Sequence, residues 1–198
     1  SIDATSLAER LAFNFVVDRK LTKFKFHICK KGRYANRIII PFQYGSRDPY
    51  FFQARNLSLL GIKYLNPSRD VTGVKSSDVL FPFEEDSDYV FITEGPLDAI
   101  SLKLNGINAT CTQGSTLSNS QAEQLRGKQI VFAYDNDEAG RLGADSARNL
   151  MLRKNVNNFK VASLPEGIKD WNELHVKLRH KDFVDVALKG LQTIDFKF

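Results

Sequence analysis

YVFITEGPLDAI, residues 89 to 100, joins two unlike patterns without a gap. Tyr89 to Thr93 is a β-branched and aromatic run with the composition of a strand, and Pro96 opens an amphipathic segment that predicts a helix near 96–105. Glu94 falls at the junction, on the lip of the strand and facing the start of the helix. The pattern recurs three times. GINATCT (106–112) precedes a helical SNSQAEQLR (118–126), QIVFAY (129–134) precedes a long helix near 138–154, and NFKVASL (158–164) precedes DWNELHVKLR (170–179) across a loop. Four such units predict an α/β fold, a parallel sheet with helices on both faces. FVDVALKGL (183–191) reads as a last packing helix. In open sheets of this kind ligands bind beyond the carboxyl ends of the strands. Three of those ends deliver acid: Glu94, the pair Asp135 and Asp137, and Asp170.

The preceding stretch reads differently. DATSLAERLA (3–12) predicts a short helix with Asp3 or Thr5 as its N-cap. FKFHIC (24–29), NRIIIPFQY (36–44) and YFFQARNLS (50–58) are apolar and aromatic runs separated by KKG and GSRDP, which predicts antiparallel strands. Lys23, Lys25, Arg33, Arg37, Arg55 and Lys63 interleave with the aromatics, a track suited to a phosphate backbone with rings available for stacking, or simply a solvated charged face. KYLNPSRD (63–70) reads as a Pro-containing turn. The stretch from there to about 88 is polar and short on periodicity, as expected of a boundary. The expected organisation is a smaller basic α+β subdomain at 1–86, the α/β domain at 87–168, and a late acidic and helical segment at 169–198.

Charge follows the same division. Residues 1–83 carry 14 Lys and Arg against 6 Asp and Glu, whereas residues 84–198 carry 14 against 17. A polyanion on the first part and cations on the rim of the second would satisfy both. Cys29 and Cys111, far apart and with only three histidines, give neither a zinc ribbon nor a disulfide framework. No apolar run is long enough for a bilayer, and residues 1–20 do not read as a signal peptide, so no membrane association and a cytoplasmic location are expected. The chain opens on Ser1, as a piece cut from a longer protein would.

Four carboxylates on one rim repel one another unless a cation or basic partner joins them. Mg2+ suits such a rim because it takes one or two protein carboxylates, several waters and substrate phosphates. Asp135 and Asp137 share a face if the chain between them stays extended. A pair of metals there could hold both oxygens of an in-line phosphoryl displacement, giving polymerisation or hydrolysis of nucleotides. Helix capping competes as an explanation for Asp98, in the first turn after Pro96, and for Asp137, just before EAGRLGADSARNL. Gly140, with Ala139, would let that helix pack closely on the strand end. Gly114-Ser115 offers a phosphate loop or a simple turn. No GxxxxGK[ST] is present, which removes a Walker-type ATPase.

EGPLDAI (94–100), YDNDEAG (134–140) and KDWNEL (169–174) resemble the EGxxD, DxDxAG and late acidic motifs of TOPRIM domains. These motifs are shared with topoisomerases, recombination mediators and some nucleases. RIIIPF (37–42), FFQARNL (51–57) and KYLNPS (63–68) resemble the basic subdomain of one branch, the catalytic core of bacterial and bacteriophage-type DNA primases. The resemblance implies a Rossmann-like TOPRIM sheet and a catalytic role for Glu94, Asp135 and Asp137. It also implies a metal site of Glu94, Asp98, Asp135, Asp137 and Asp170 for Mg2+, with Mn2+ as a substitute. Arg55, Lys63, Asn66 and Lys75 would meet template or nucleotide phosphates.

Implied partners are single-stranded DNA, ribonucleoside triphosphates, a replicative helicase and a zinc-binding module absent from this chain. The setting would be a bacterial cell, with phage encoding an option. Two positions depart from the pattern: Gln53-Ala54 stand where many relatives have glycine, and Asn172 stands where they often have a second late aspartate. Competing readings are a TOPRIM nuclease, a non-catalytic single-strand-binding module and, lowest, a topoisomerase, whose strand-breaking tyrosine and gate need far more chain.

Overall fold

Residues 4–58 and 60–193 are described by a computed structural model, in which the chain divides into two units between Ser76 and Ser77. Asp3, expected as a helix cap, lies outside the described residues.

The first unit opens with α1 (Ala4–Asp18), a turn and a half longer at its end than the motif DATSLAERLA suggests. Four antiparallel strands follow in spatial order: β1 (His27–Cys29), β2 (Arg37–Phe42), β3 (Phe51–Asn56) and β4 (Tyr64–Leu65). Ile38, Ile40 and Phe42 alternate along β2 and are all buried, with Leu21, Phe51 and Ala54 completing the core. Pro41 is tolerated in this interior strand because β1 pairs only with residues 37–39, so no neighbour awaits its missing N–H. Two expectations change here. The KYLNPS stretch contributes a paired edge strand rather than only a turn, with Tyr64 opposite Arg55. β1 begins at His27, so Lys23 and Lys25 precede the sheet and do not belong to an alternating strand track. The unit closes with the short helix α2 (Arg69–Thr72), ended by Gly73 at φ 76°.

The second unit is the α/β sheet. Its order is β6 (Ala109–Cys111), β5 (Tyr89–Thr93), β7 (Gln129–Phe132), β8 (Phe159–Ala162) and β9 (Leu191–Thr193), with β9 antiparallel and the rest parallel. The helices are α3 (Pro96–Leu104), α4 (Asn119–Gln124), α5 (Glu138–Arg153), α6 (Trp171–Lys177) and α7 (His180–Lys189). Val90 and Ile92 face a core that includes Ala122 of α4 and Ala147, Leu150 and Met151 of α5. Phe91, on the opposite face, meets Trp171, which in turn meets Phe183 of α7. The continuous apolar reading of β5 thus reflects a strand covered on both sides. Ser118 and Gln121 cap α4 reciprocally, as its sequence allows.

The segment expected to be a polar boundary is partly core. Val79, Leu80, Phe81 and Phe83 are buried in the second unit, although none belongs to a strand. Their carbonyls are met from the side: Gln121 Nε2 donates to Val79 O at 2.8 Å and Thr110 Oγ1 to Phe81 O at 2.6 Å. The division therefore falls at 76/77 rather than at 86/87. Residues 169–193 pack within the second unit, where α6 lies against α3. β9 was not anticipated either, because its three residues carry no alternation of their own.

Candidate active site

β5 and β7 are adjacent, but the chain leaves β5 through α3 toward β6 and leaves β7 through α5 toward β8. Opposite departures open a crevice at the strand ends. Glu94 follows β5 and Asp135 follows β7, so both carboxylates stand at this switch point. The backbone N–H of Asp135 points to Glu94 Oε1 at 3.4 Å. Asp135 is half-buried, and its Oδ1 is shielded from solvent with no hydrogen-bond partner among the described residues.

Asp137 is the N-cap of α5, Oδ1 accepting from Gly140 N at 2.8 Å. Asp170 is likewise the N-cap of α6, Oδ1 accepting from Glu173 N at 2.8 Å. Capping and ligand binding are not exclusive here, since each cap bond engages only Oδ1. Gly140 sets the approach of α5: a Cβ at that position would come within 2.2 Å of Asp135 O. The glycine of the DNDEAG motif is therefore required by the backbone it rests on.

Asp135 senses the other three acids. Burial first, then the charges of Glu94, Asp170 and Asp137, raise the Asp135 carboxyl to about 6, opposed by Lys169. This has a consequence for stability. The unfolded group titrates near 3.8 and the folded one near 6, so between those values the native chain holds a proton that the unfolded chain has released. Stability conferred by that proton is present below the window and is lost as pH rises through it. With a chelator present, Asp135→Asn should raise the thermal midpoint at pH about 7.5 and change it little at pH about 4. A difference between variant and parent that does not vary with pH would contradict the coupling among these acids.

Asp98 stands apart. It is 9% exposed, and its Oδ1 accepts from the backbone N–H of Asn172 at 3.0 Å, tying α3 to α6. Of the two expectations for the Gly114 loop, the structure fits the simple turn: its N–H donates to Glu94 O at 2.9 Å, which fixes the backbone beneath Glu94 instead of offering that amide to a phosphate. Among the described residues, no group of three or more His, Cys, Asp or Glu side chains is drawn together closely enough to hold a metal ion. An open rim still fits a hard divalent cation of the kind that needs only one or two protein carboxylates. The unmet Asp135 Oδ1 is the kind of oxygen it would take.

In the first unit, Arg55 is half-buried between rings, its Cζ 4.9 Å from the Tyr64 ring centroid and 5.8 Å from that of Phe15. Its Nε and Nη1 are shielded from solvent without hydrogen-bond partners among the described residues. A half-desolvated cation with unmet donors suits an anion. Lys63 and Lys75 are exposed, and Asn66 Oδ1 accepts from Gln53 Nε2 at 2.9 Å. Arg37 serves the sheet: its Nη1 donates to Ala54 O and Ile62 O. Lys169 and Trp171, inside the KDWNEL motif, also support the site, and so does Ser101, which no motif or spacing announces.

Residues 91–175 match the family described as Toprim-like. The DNA primase of Mycoplasma genitalium is 27% identical over 96% of this chain and 32% of its own length. That of Clostridium acetobutylicum is 30% identical over 83% of this chain and 28% of its own. The chain thus spans about a third of the curated relatives it matches. Among solved structures, the RNA polymerase domain of Mycobacterium tuberculosis primase DnaG superposes with a TM-score of 0.73 at 20% identity, covering 92% of this chain and 76% of that one. A DNA primase domain from Pseudomonas aeruginosa gives 0.69 at 25% identity, covering 92% and 60%.

The second unit is a TOPRIM domain, a parallel α/β sheet with acids at its switch point. Over most of its length the chain is similar to DNA primases, and its fold is that of their catalytic cores.

Proposed function

We propose that this chain is the RNA-polymerising core of a DNA primase, joining ribonucleoside triphosphates on a single-stranded DNA template with release of pyrophosphate. The observation that carries the reading is the placement of Asp135 at the switch point beside Glu94, its carboxyl raised by burial and then by the charges of Glu94, Asp170 and Asp137. A primase catalytic domain of the same fold has been solved bound to single-stranded DNA, which supports that template.

Glu94, Asp135, Asp137 and Asp170 would hold Mg2+ or Mn2+, with Asp98 supporting the rim from α3. When bound, such a cation lowers the pKa of the attacking 3′-hydroxyl and offsets charge on the triphosphate. The Asp135 N–H steadies the Glu94 carboxylate beside that of Asp135. The two caps hold Asp137 and Asp170 in fixed rotamers, so little reorganisation is needed when substrate arrives. Arg55 supplies fixed positive charge to a phosphate, with Lys63, Asn66 and Lys75 as further contacts from the first unit. A zinc-binding module and a replicative helicase are the expected partners.

The test is synthesis itself. Purified chain, a single-stranded template, ribonucleoside triphosphates and Mg2+ should give short RNA products that disappear with a chelator. A parallel incubation of labelled DNA with Mg2+ alone should leave it uncut; cleavage there without RNA synthesis would replace this reading by a nuclease.

A further inference from the structure

Asp170 is the acid that arrives from farthest along the chain, and the residues around it are fastened while its own carboxylate is not buried away. On one side, Asn136 N donates to Lys169 O at 2.9 Å and Asn136 Nδ2 to Ile168 O at 3.3 Å. Trp171 Nε1 donates to Ala133 O at 2.9 Å, two residues before Asp135. On the other side, Asn172 N donates to Asp98 Oδ1, and Asn172 Nδ2 donates to Ser101 Oγ at 3.0 Å. Ser101 Oγ in turn donates to Leu97 O at 2.8 Å, within the helix that starts beside Glu94. Ser101 is completely buried.

We infer that Ser101 and Asn172 form a clasp that positions Asp170 for metal binding, with Asn172 acting through its hydrogen bonds rather than as a ligand. The inference rests on the primase reading of the acidic rim. Asn172 occupies a position where a second late carboxylate would add charge to the rim. Here its amide is spent on α3. An aspartate would supply no N–H for Ser101 Oγ, whose own proton is committed to Leu97 O. The exchange of a charged side chain for a neutral donor therefore ties α6 to α3 and sets the separation between Asp170, at the head of α6, and Glu94, just before α3. Partners that orient ligands in this way matter for affinity, because an open rim has no closed cage to hold its geometry.

Ser101→Ala tests this, since a buried hydroxyl on α3 does not reach a metal. Mn2+ binding to the full chain, followed by electron paramagnetic resonance without nucleotide, should weaken by about tenfold with unchanged stoichiometry. Asn172→Ala should weaken it similarly, and the double variant should bind no worse than either single one. The emission of Trp171, the only tryptophan, should shift in both, reporting movement of α6. Wild-type Mn2+ affinity in Ser101→Ala, with loss in Asn172→Ala, would overturn the clasp and make Asn172 a ligand. A parent chain that binds no Mn2+ would overturn the primase reading and the positioning role together.

Discussion

Glu94→Gln should lower primer synthesis by at least about a hundredfold while leaving the thermal midpoint nearly unchanged. Glutamine keeps the shape of the side chain and retains a carbonyl oxygen for the Asp135 N–H, now at 3.4 Å from Glu94 Oε1. What it removes is charge at the crevice between β5 and β7. A second readout separates this from a packing effect. Glu94 is the largest of the neighbouring charges that raise the Asp135 carboxyl, so in the variant that group should titrate below its present value of about 6. Full activity in Glu94→Gln would sink the assignment of the rim as the catalytic centre.

Trp171→Ala should cost about 4 kcal/mol of stability, measured by urea unfolding. The ring is completely buried, flanked by Phe91 and Phe183 with centroids 6.5 and 6.1 Å away. Truncation leaves a cavity under the sheet and an unmet Ala133 carbonyl, two penalties that add. Trp171→Phe keeps most of the apolar area and loses the donor, so its cost should be nearer about 1 kcal/mol. Equal costs for the two variants would mean that the bond to Ala133, not the packing, dominates.

The α/β half was legible because each strand-to-helix junction is written locally. Thr93-Glu94-Gly95-Pro96 ends a strand buried from Val90 onward and starts a helix within four residues, and the caps Ser118, Asp137 and Asp170 stand where their helices begin. The acids at the rim were legible for the same reason. The division of labour among them was not. Asp98 and Asn172 are 74 residues apart in sequence, and no periodicity or capping rule links a first-turn aspartate to a backbone amide so far away. Arg37 and Arg55 look alike as strand cations, yet one is consumed by carbonyls and the other keeps unmet donors. That difference depends on which loop folds beside each. The VLFPF stretch misled because it is apolar without being a strand: Pro82 interrupts any ladder, and its neighbours are satisfied by side chains from β6 and α4.

That same stretch does something for the sheet beyond filling its core. β6 is a terminal strand, and a terminal strand ordinarily invites pairing with another chain. Here Phe81 N approaches Cys111 O at 3.5 Å, and Thr110 turns its hydroxyl to Phe81 O. A kinked, proline-bearing lid thus lies along the rim of β6 and supplies no regular row of donors outward. At the other end, β9 runs against its neighbour β8 and breaks the parallel repeat. The β6 margin is thus finished by irregular chain, a defence against self-association that leaves the strand termini bearing the acids open to a ligand.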